Sequence, residues 1–152
     1  MANTFTQLYS HVVFATRYRD GFINFSWQEE LHRYITGIVQ NKDHKMLAIN
    51  SMPDHLHMFL GMKPDQSISS LVQTVKSESS KWIKAQCHCN LFAWQEGFGA
   101  FSNSKSQLSQ VASYIENQQI HHHKKSFLEE YKHMLCQSGI EFDEKYIFKE
   151  PI

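Results

Sequence analysis

The chain is poor in the residues that staple or interrupt structure: 3 cysteines, 3 prolines and 6 glycines among 152 residues. Three thiols, Cys87, Cys89 and Cys136, make no disulfide framework, and an odd count fits a reducing compartment. Cys87-His88-Cys89 lacks the spacing of a zinc hook and has no second pair, so it reads as a helix end with incidental thiols. No apolar run approaches the length of a membrane span. The opening Met1-Ala2-Asn3-Thr4-Phe5 lacks the basic start and apolar stretch of a signal peptide. A soluble, cytoplasmic protein without a membrane partner is the expectation. No repeat, low-complexity run or Pro/Gly linker divides the chain, which predicts one domain, with a main body at 1–125 and a C-terminal helical extension of it at 126–152.

Net charge is lacking too: 15 basic residues balance 15 acidic ones. That argues against a basic coat for duplex DNA, but the zero total hides a local asymmetry. Residues 63–125 carry seven Lys/Arg against four Asp/Glu, and residues 126–152 carry three against six. The middle third is the part suited to phosphate.

A hydrophobic content of 41% supports a real core, and 10 histidines are many for this length. Residues 7–16 read as a first strand, closed by a turn at Arg17-Tyr18-Arg19-Asp20-Gly21. Ser26-Trp27-Gln28-Glu29 resembles a capping box ahead of a helix whose apolar residues run from Trp27 to Val39. Lys45–Ser51 and His55–Met62 read as an antiparallel hairpin turned at Pro53-Asp54. Ser67 starts a second helix striped by Ile68, Leu71, Val72, Val75, Trp82 and Ile83. Phe92–Gln95 and Gly99–Ser102 predict two short strands or one bulged strand. A third helix is expected from about Ser104 to His121, and a fourth from Ser126 to Gln137, stopped by Gly139. The order is β-α-β-β-α-β: an α+β, ferredoxin-like or RRM-like antiparallel sheet, with one face left open and further helices appended.

The stretch from Met52 to Leu60 organises the rest. Side chains alternate along a strand, so His55 and His57 share one face while Leu56, Met58 and Leu60 share the other. Two imidazoles on a rigid strand can hold a metal ion, although two ordinary histidines are the commoner meaning of such a pair. Phe59 stands where a histidine-triad hydrolase would need a third histidine. On the third helix, Tyr114 and Gln118 are four residues apart, at the edge of the stripe formed by Leu108, Val111, Ala112 and Ile115. A phenol and a carboxamide are thereby presented together to whatever the helix covers. Two imidazoles and an amide oxygen leave positions open for water and phosphate oxygens, which suits a catalytic Mg²⁺ or Mn²⁺ ion. Taken singly, Tyr114 reads as a rim tyrosine and Gln118 as a surface glutamine. His121-His122-His123 reads as a polar helix end, His11 as structural or as a strand residue beside the histidine pair, Glu116 and Asn117 as exposed, and Trp27 and Trp82 as core. Trp94 is open between a core aromatic and a base-stacking one.

Together these segments resemble the single-tyrosine HUH transposases, which move insertion sequences as single-stranded DNA, and their REP-associated relatives. The resemblance is carried by Pro53-Asp54-His55-Leu56-His57 and by Tyr114-Ile115-Glu116-Asn117-Gln118. It is extended by His11-Val12-Val13-Phe14-Ala15-Thr16-Arg17-Tyr18-Arg19 and by Trp94-Gln95-Glu96-Gly97-Phe98-Gly99-Ala100-Phe101-Ser102. It implies that residues 1–125 form the transposase domain, with the Tyr114 helix as a catalytic helix on the open face. Tyr114 would cut single-stranded DNA at hairpin-bearing ends through a 5′-phosphotyrosine. His55, His57 and Gln118 would hold the divalent ion. Arg17, Arg19, Lys76, Lys81, Lys84 and Lys105 are the basic residues expected at the DNA. A homodimer with composite sites is the implied assembly. Two alternatives stand beside this: a domesticated relative acting on chromosomal palindromic repeats, and a non-catalytic single-stranded nucleic-acid-binding module.

Overall fold

The computed structural model describes residues 4–17, 22–118 and 126–142. Arg19, the turn at 18–21, the His121-His122-His123 run and the acidic end beyond Phe142 lie outside the described residues.

Four antiparallel strands form one sheet: β1 (Tyr9–Ala15), β2 (Lys45–Met52), β3 (His55–Gly61) and β4 (Gly99–Asn103), in the spatial order β2-β3-β1-β4. With helices α1 (Gln28–Asn41) and α2 (Ile68–Gln86) between strands, this is the β-α-β-β-α-β order read from the sequence. The hairpin β2–β3 turns at Pro53-Asp54 and pairs Met52 with His55 and Asn50 with His57. β3 is central, with β1 on its other edge pairing Val13 with His57. A long buried strand with alternating chemistry has its register fixed, because a one-residue slip would put histidines into the apolar core.

Leu56, Met58 and Leu60 are fully buried, in one core with residues of α1 and α2: Leu31, Ile35, Val39, Leu71, Val75 and Ile83. α2 starts where the sequence places it, with Ser67 accepting a hydrogen bond from the Ser70 amide. The Ser26 capping box does not form. Trp27 is the N-cap residue without a side-chain bond, and the Ser26 amide instead donates to Asn24 Oδ1, 2.9 Å away. An Asx-type turn at Asn24 thus shifts the helix start past the serine. Trp27 and Trp82 are half-buried, ring against ring at the core margin, and not deep within it.

The opposite face of the sheet is not bare. A 3₁₀ turn (Lys105–Gln107) leads into α3 (Leu108–Glu116), which packs on β2 and β3. Only Ile115 of its expected stripe is fully buried, against Ala48 and Phe59; Leu108, Val111 and Ala112 are half-covered around them. A last helix, α4 (Phe127–Gln137), is capped by Ser126 and ends before Gly139, whose φ of 67° matches the expected glycine stop. Its Phe127 ring stacks on His55 at 4.1 Å. Opposite β4, the Tyr131 ring lies so close that a Cβ on Gly99 would come within 2.6 Å of it. Ahead of β4, the segment 92–95 forms no strand, only a single bridge from Trp94 to Thr16. Trp94 is core: its indole N–H donates to Ser79 Oγ at 2.9 Å, and its ring packs edge-on against Phe14. Cys87 ends α2 and packs with Cys89 against the core. Among the described residues, no helix is long and apolar enough to cross a membrane.

Candidate functional site

Alternation on β3 puts His55 and His57 on the α3 side of the sheet, both fully buried. Each ring is held by its Nδ1. His55 Nδ1 lies 2.7 Å from Asp54 Oδ1 and His57 Nδ1 lies 2.7 Å from His11 Nε2. A carboxylate only accepts, so His55 Nδ1 carries a proton toward Asp54 and turns Nε2 to the opposite side of the ring. Burial, with the His57 ring beside it, pushes the His11 imidazole down to about 3, against a smaller opposing pull from Glu130. His11 is therefore a neutral partner to His57.

The two Nε2 atoms face the carboxylate of Glu130, on α4. Its Oε1 is 3.1 Å from His57 Nε2 and 3.7 Å from His55 Nε2. Its Oε2 accepts a short hydrogen bond from the Tyr114 hydroxyl and a second, at 3.2 Å, from Gln118 Nε2. The Gln118 carbonyl in turn lies 3.2 Å from His55 Nε2. Glu130 is only 4% exposed and Gln118 is fully covered. Burial first, then the Glu130 charge and hydrogen bond, raise the Tyr114 phenol well above its usual range, against a smaller lowering from Gln118. The free phenol is therefore no nucleophile until its proton is removed or its surroundings gain positive charge.

Ligand atoms of His55, His57 and Glu130 all lie within 4.8 Å of one another, close enough to converge on one metal ion. Two imidazole nitrogens, a carboxylate oxygen and the adjacent amide oxygen of Gln118 make a mixed N/O set that fits a divalent cation. The separation along the chain is large, yet all the members belong to one chain.

The chain matches the model of a family described as IS200-like transposase over residues 4–118. The chain belongs to this family. Among curated relatives, the IS200-like chain is 24% identical to the ISDra2 transposase TnpA of Deinococcus radiodurans, over 74% of this chain and 84% of the relative. Two solved structures share its fold. One, a candidate transposase from Deinococcus radiodurans, is 24% identical, with a TM-score of 0.62, covering 78% of this chain and 95% of that one. The other, a REP-associated tyrosine transposase bound to a REP hairpin, is 15% identical, with a TM-score of 0.61, covering 80% of this chain and 73% of that one.

Of the residues picked out in this transposase from sequence, His55, His57, Tyr114 and Gln118 come together. Among the described residues, the basic ones do not join them. α2 lies across the sheet, so Lys76, Lys81 and Lys84 sit on the far side from the histidines. Lys76 is turned inward: its Nζ donates to the Gln95 and Gly97 carbonyls at 2.8 and 2.7 Å, and burial pushes its ammonium down to about 8. Lys81 pairs loosely with Glu78 at 3.8 Å, and Lys84, Lys105 and Arg17 are exposed. A cavity of about 500 Å³ between α2 and residues 93–98 is lined by Lys76 but by none of His55, His57, Tyr114, Gln118 and Glu130. Sequence reasoning missed Glu130, which falls after the matched segment. The available signal was its place on the buried stripe of α4 with Phe127, Tyr131 and Leu135, a carboxylate where an apolar side chain is expected. His11 lies on the strand beside the histidine pair, one of the two readings the sequence left open for it, and its Nε2 is 2.7 Å from His57 Nδ1.

Proposed function

We propose that this IS200-like transposase cleaves and rejoins single-stranded DNA at hairpin-bearing ends, in the cytoplasm, through a covalent 5′-phosphotyrosine on Tyr114. The observation that carries this reading is the convergence of the Tyr114 hydroxyl and both histidine Nε2 atoms on the one carboxylate of Glu130. His55, His57 and Glu130 would hold a divalent ion, Mg²⁺ or Mn²⁺, with Gln118 beside them. When bound, such an ion supplies positive charge that polarises a phosphate and stabilises the charge developing on it.

The chain's own residues do the remaining work. Glu130 Oε2 accepts the phenol proton as Tyr114 Oη attacks phosphorus. The Tyr114 Oη–P bond forms, the P–O3′ bond breaks, and the departing 3′ oxygen takes a proton from water. Tyr114 keeps the 5′ side, and the phosphodiester energy is retained for rejoining. Asp54 and His11 keep the two rings turned toward the strand. With α4 in place the histidines are fully covered, so the reading requires side chains packed over them, Phe127 on His55 among them, to turn aside for the phosphate while Glu130 keeps its place. The hairpin ligand named for the REP-associated relative is the class of ligand proposed here. A homodimer is part of the proposal, but the cluster described needs residues of only one chain.

The test is a denaturing gel. A hairpin-bearing single strand with Mn²⁺ is expected to yield a protein–DNA adduct whose cross-linked peptide contains Tyr114. The Tyr114→Phe protein should yield none; an adduct on that variant would overturn the nucleophile assignment.

A further inference from the structure

α3 is short, nine residues from Leu108 to Glu116, yet it carries Tyr114 and leads through Asn117 to Gln118. Helix propensity alone does not fix their place, because so short a helix is marginal and its last carbonyls have no intrahelical partners. Those carbonyls have a partner from the sheet. Asn50, on β2 directly opposite His57, donates from Nδ2 to the Ile115 carbonyl at 2.9 Å and to the Glu116 carbonyl at 3.2 Å. The two bonded carbonyls lie between Tyr114 and Gln118 in sequence. The Asn50 side chain is itself fixed: its Oδ1 accepts the Ser51 amide at 2.9 Å, and Asn50 is only 8% exposed. Ser51 faces the other side of the sheet, where Gln28 donates to its carbonyl and hydroxyl and His32 Nε2 lies 2.8 Å from its Oγ. A hydrogen-bonded chain therefore runs from α1 through the sheet to the end of α3.

We infer that Asn50 is a positioning residue for the strand-transfer reaction: its carboxamide latches the C-terminal end of α3 to the histidine-bearing sheet and so sets Tyr114 and Gln118 over His55 and His57. The inference rests on the proposed function for its catalytic consequence, but the latch is testable without it. Asn50 acts through the helix, by the bonds to its last carbonyls. Neutral volume is not the point of the side chain; its two donated bonds are.

The experiment compares Asn50→Asp with Asn50→Ala. Aspartate keeps shape and the Ser51 bond but sets an acceptor against two carbonyls, whereas alanine only removes the latch. In hydrogen–deuterium exchange, both variants are expected to exchange faster than wild type at residues 115–118, Asp more than Ala, with unchanged exchange in β1 and β3. In single-turnover adduct formation, the saturating rate should fall by about 10- to 100-fold, Asp more than Ala, because small misplacement of a reacting group is costly. The DNA concentration for half-maximal rate should stay within about twofold of wild type, which a general loss of structure would not leave in place. Wild-type exchange at residues 115–118 in both variants overturns the latch. So does a reversed order, with Ala the worse, which would mean that the side chain only fills space. If wild type forms no adduct, the strand-transfer reading fails, while the exchange result still decides the latch.

Discussion

The two faces of the sheet are built from the same strands and do opposite things. On the α1/α2 side, Val12, Phe14, Leu56, Met58 and Leu60 bury hydrocarbon, and a polar knot of Gln28, His32 and Ser51 is hydrogen-bonded within itself. On the α3/α4 side, the alternate residues of the same strands are His11, Asn50, His55 and His57, joined from above by Gln118 and Glu130, all buried. Burying that many polar groups costs free energy unless every one is partnered, whereas the apolar face stabilises directly. One strand, β3, thus carries stability on one side and chemistry on the other. Sites accept such a cost where they need groups preorganised away from water.

The sharpest way to break the comparison is to damage the apolar face alone. Leu60→Ala should cost about 2–5 kcal/mol of unfolding free energy, read from urea denaturation, because a fully buried side chain leaves a cavity. A cost within about 0.5 kcal/mol would mean that this face does not carry the fold. Damage to the polar face should separate stability from binding. Glu130→Gln should lower Mn²⁺ affinity by about 10- to 100-fold in direct titration. The metal-free protein should melt no lower than wild type, since a buried charge is removed without loss of shape. A variant with wild-type Mn²⁺ affinity would remove Glu130 from the site.

The polar knot on the apolar side offers a subtler contrast through pH. Burial pulls the His32 imidazole down from its ordinary value of 6.5, with a smaller opposing pull from Glu29. The unfolded chain then binds the extra proton more readily. His32 contributes stability that is present above pH 6.5 and lost as pH falls below it, with a slope of at most about 1.4 kcal/mol per pH unit. The difference in unfolding free energy between wild type and His32→Asn should therefore shrink from pH 7.5 to pH 5; a constant difference would contradict the burial argument. The smallest contrast concerns helix starts. Ser67→Ala should cost about 1 kcal/mol, because Ser67 caps α2. Ser26→Ala should cost under about 0.5 kcal/mol, because Ser26 caps nothing. Equal losses in the two variants would say that the capping assignment is wrong.

Local patterns were legible in the sequence, and the family resemblance put the Tyr114 helix over the histidines; the closure by α4 was not legible. Alternation on His55–Leu60, the turn at Pro53-Asp54, the Ser67 cap and the four-residue spacing of Tyr114 and Gln118 are all short-range signals, and each matches the structure. The Ser26 box failed because a competing side chain, Asn24, lay two residues upstream and offered its own turn. Lys76 looks solvated on a helical wheel, but a loop nineteen residues on supplies the carbonyl that draws it in. Glu130 belongs to the same class of miss. Its helix closes over a face that the β-α-β-β-α-β order leaves open, and nothing near it in sequence says which face it will meet.

The claim beneath all of this is that two imidazoles of β3 and a carboxylate of α4 converge on one divalent ion beside Tyr114. A crystal grown with Mn²⁺, and its anomalous difference map, tests it most directly. The expected result is one strong peak within bonding distance of His55 Nε2, His57 Nε2 and a Glu130 oxygen. Mn²⁺ bound elsewhere on the chain, with no peak between those three atoms, would contradict the account.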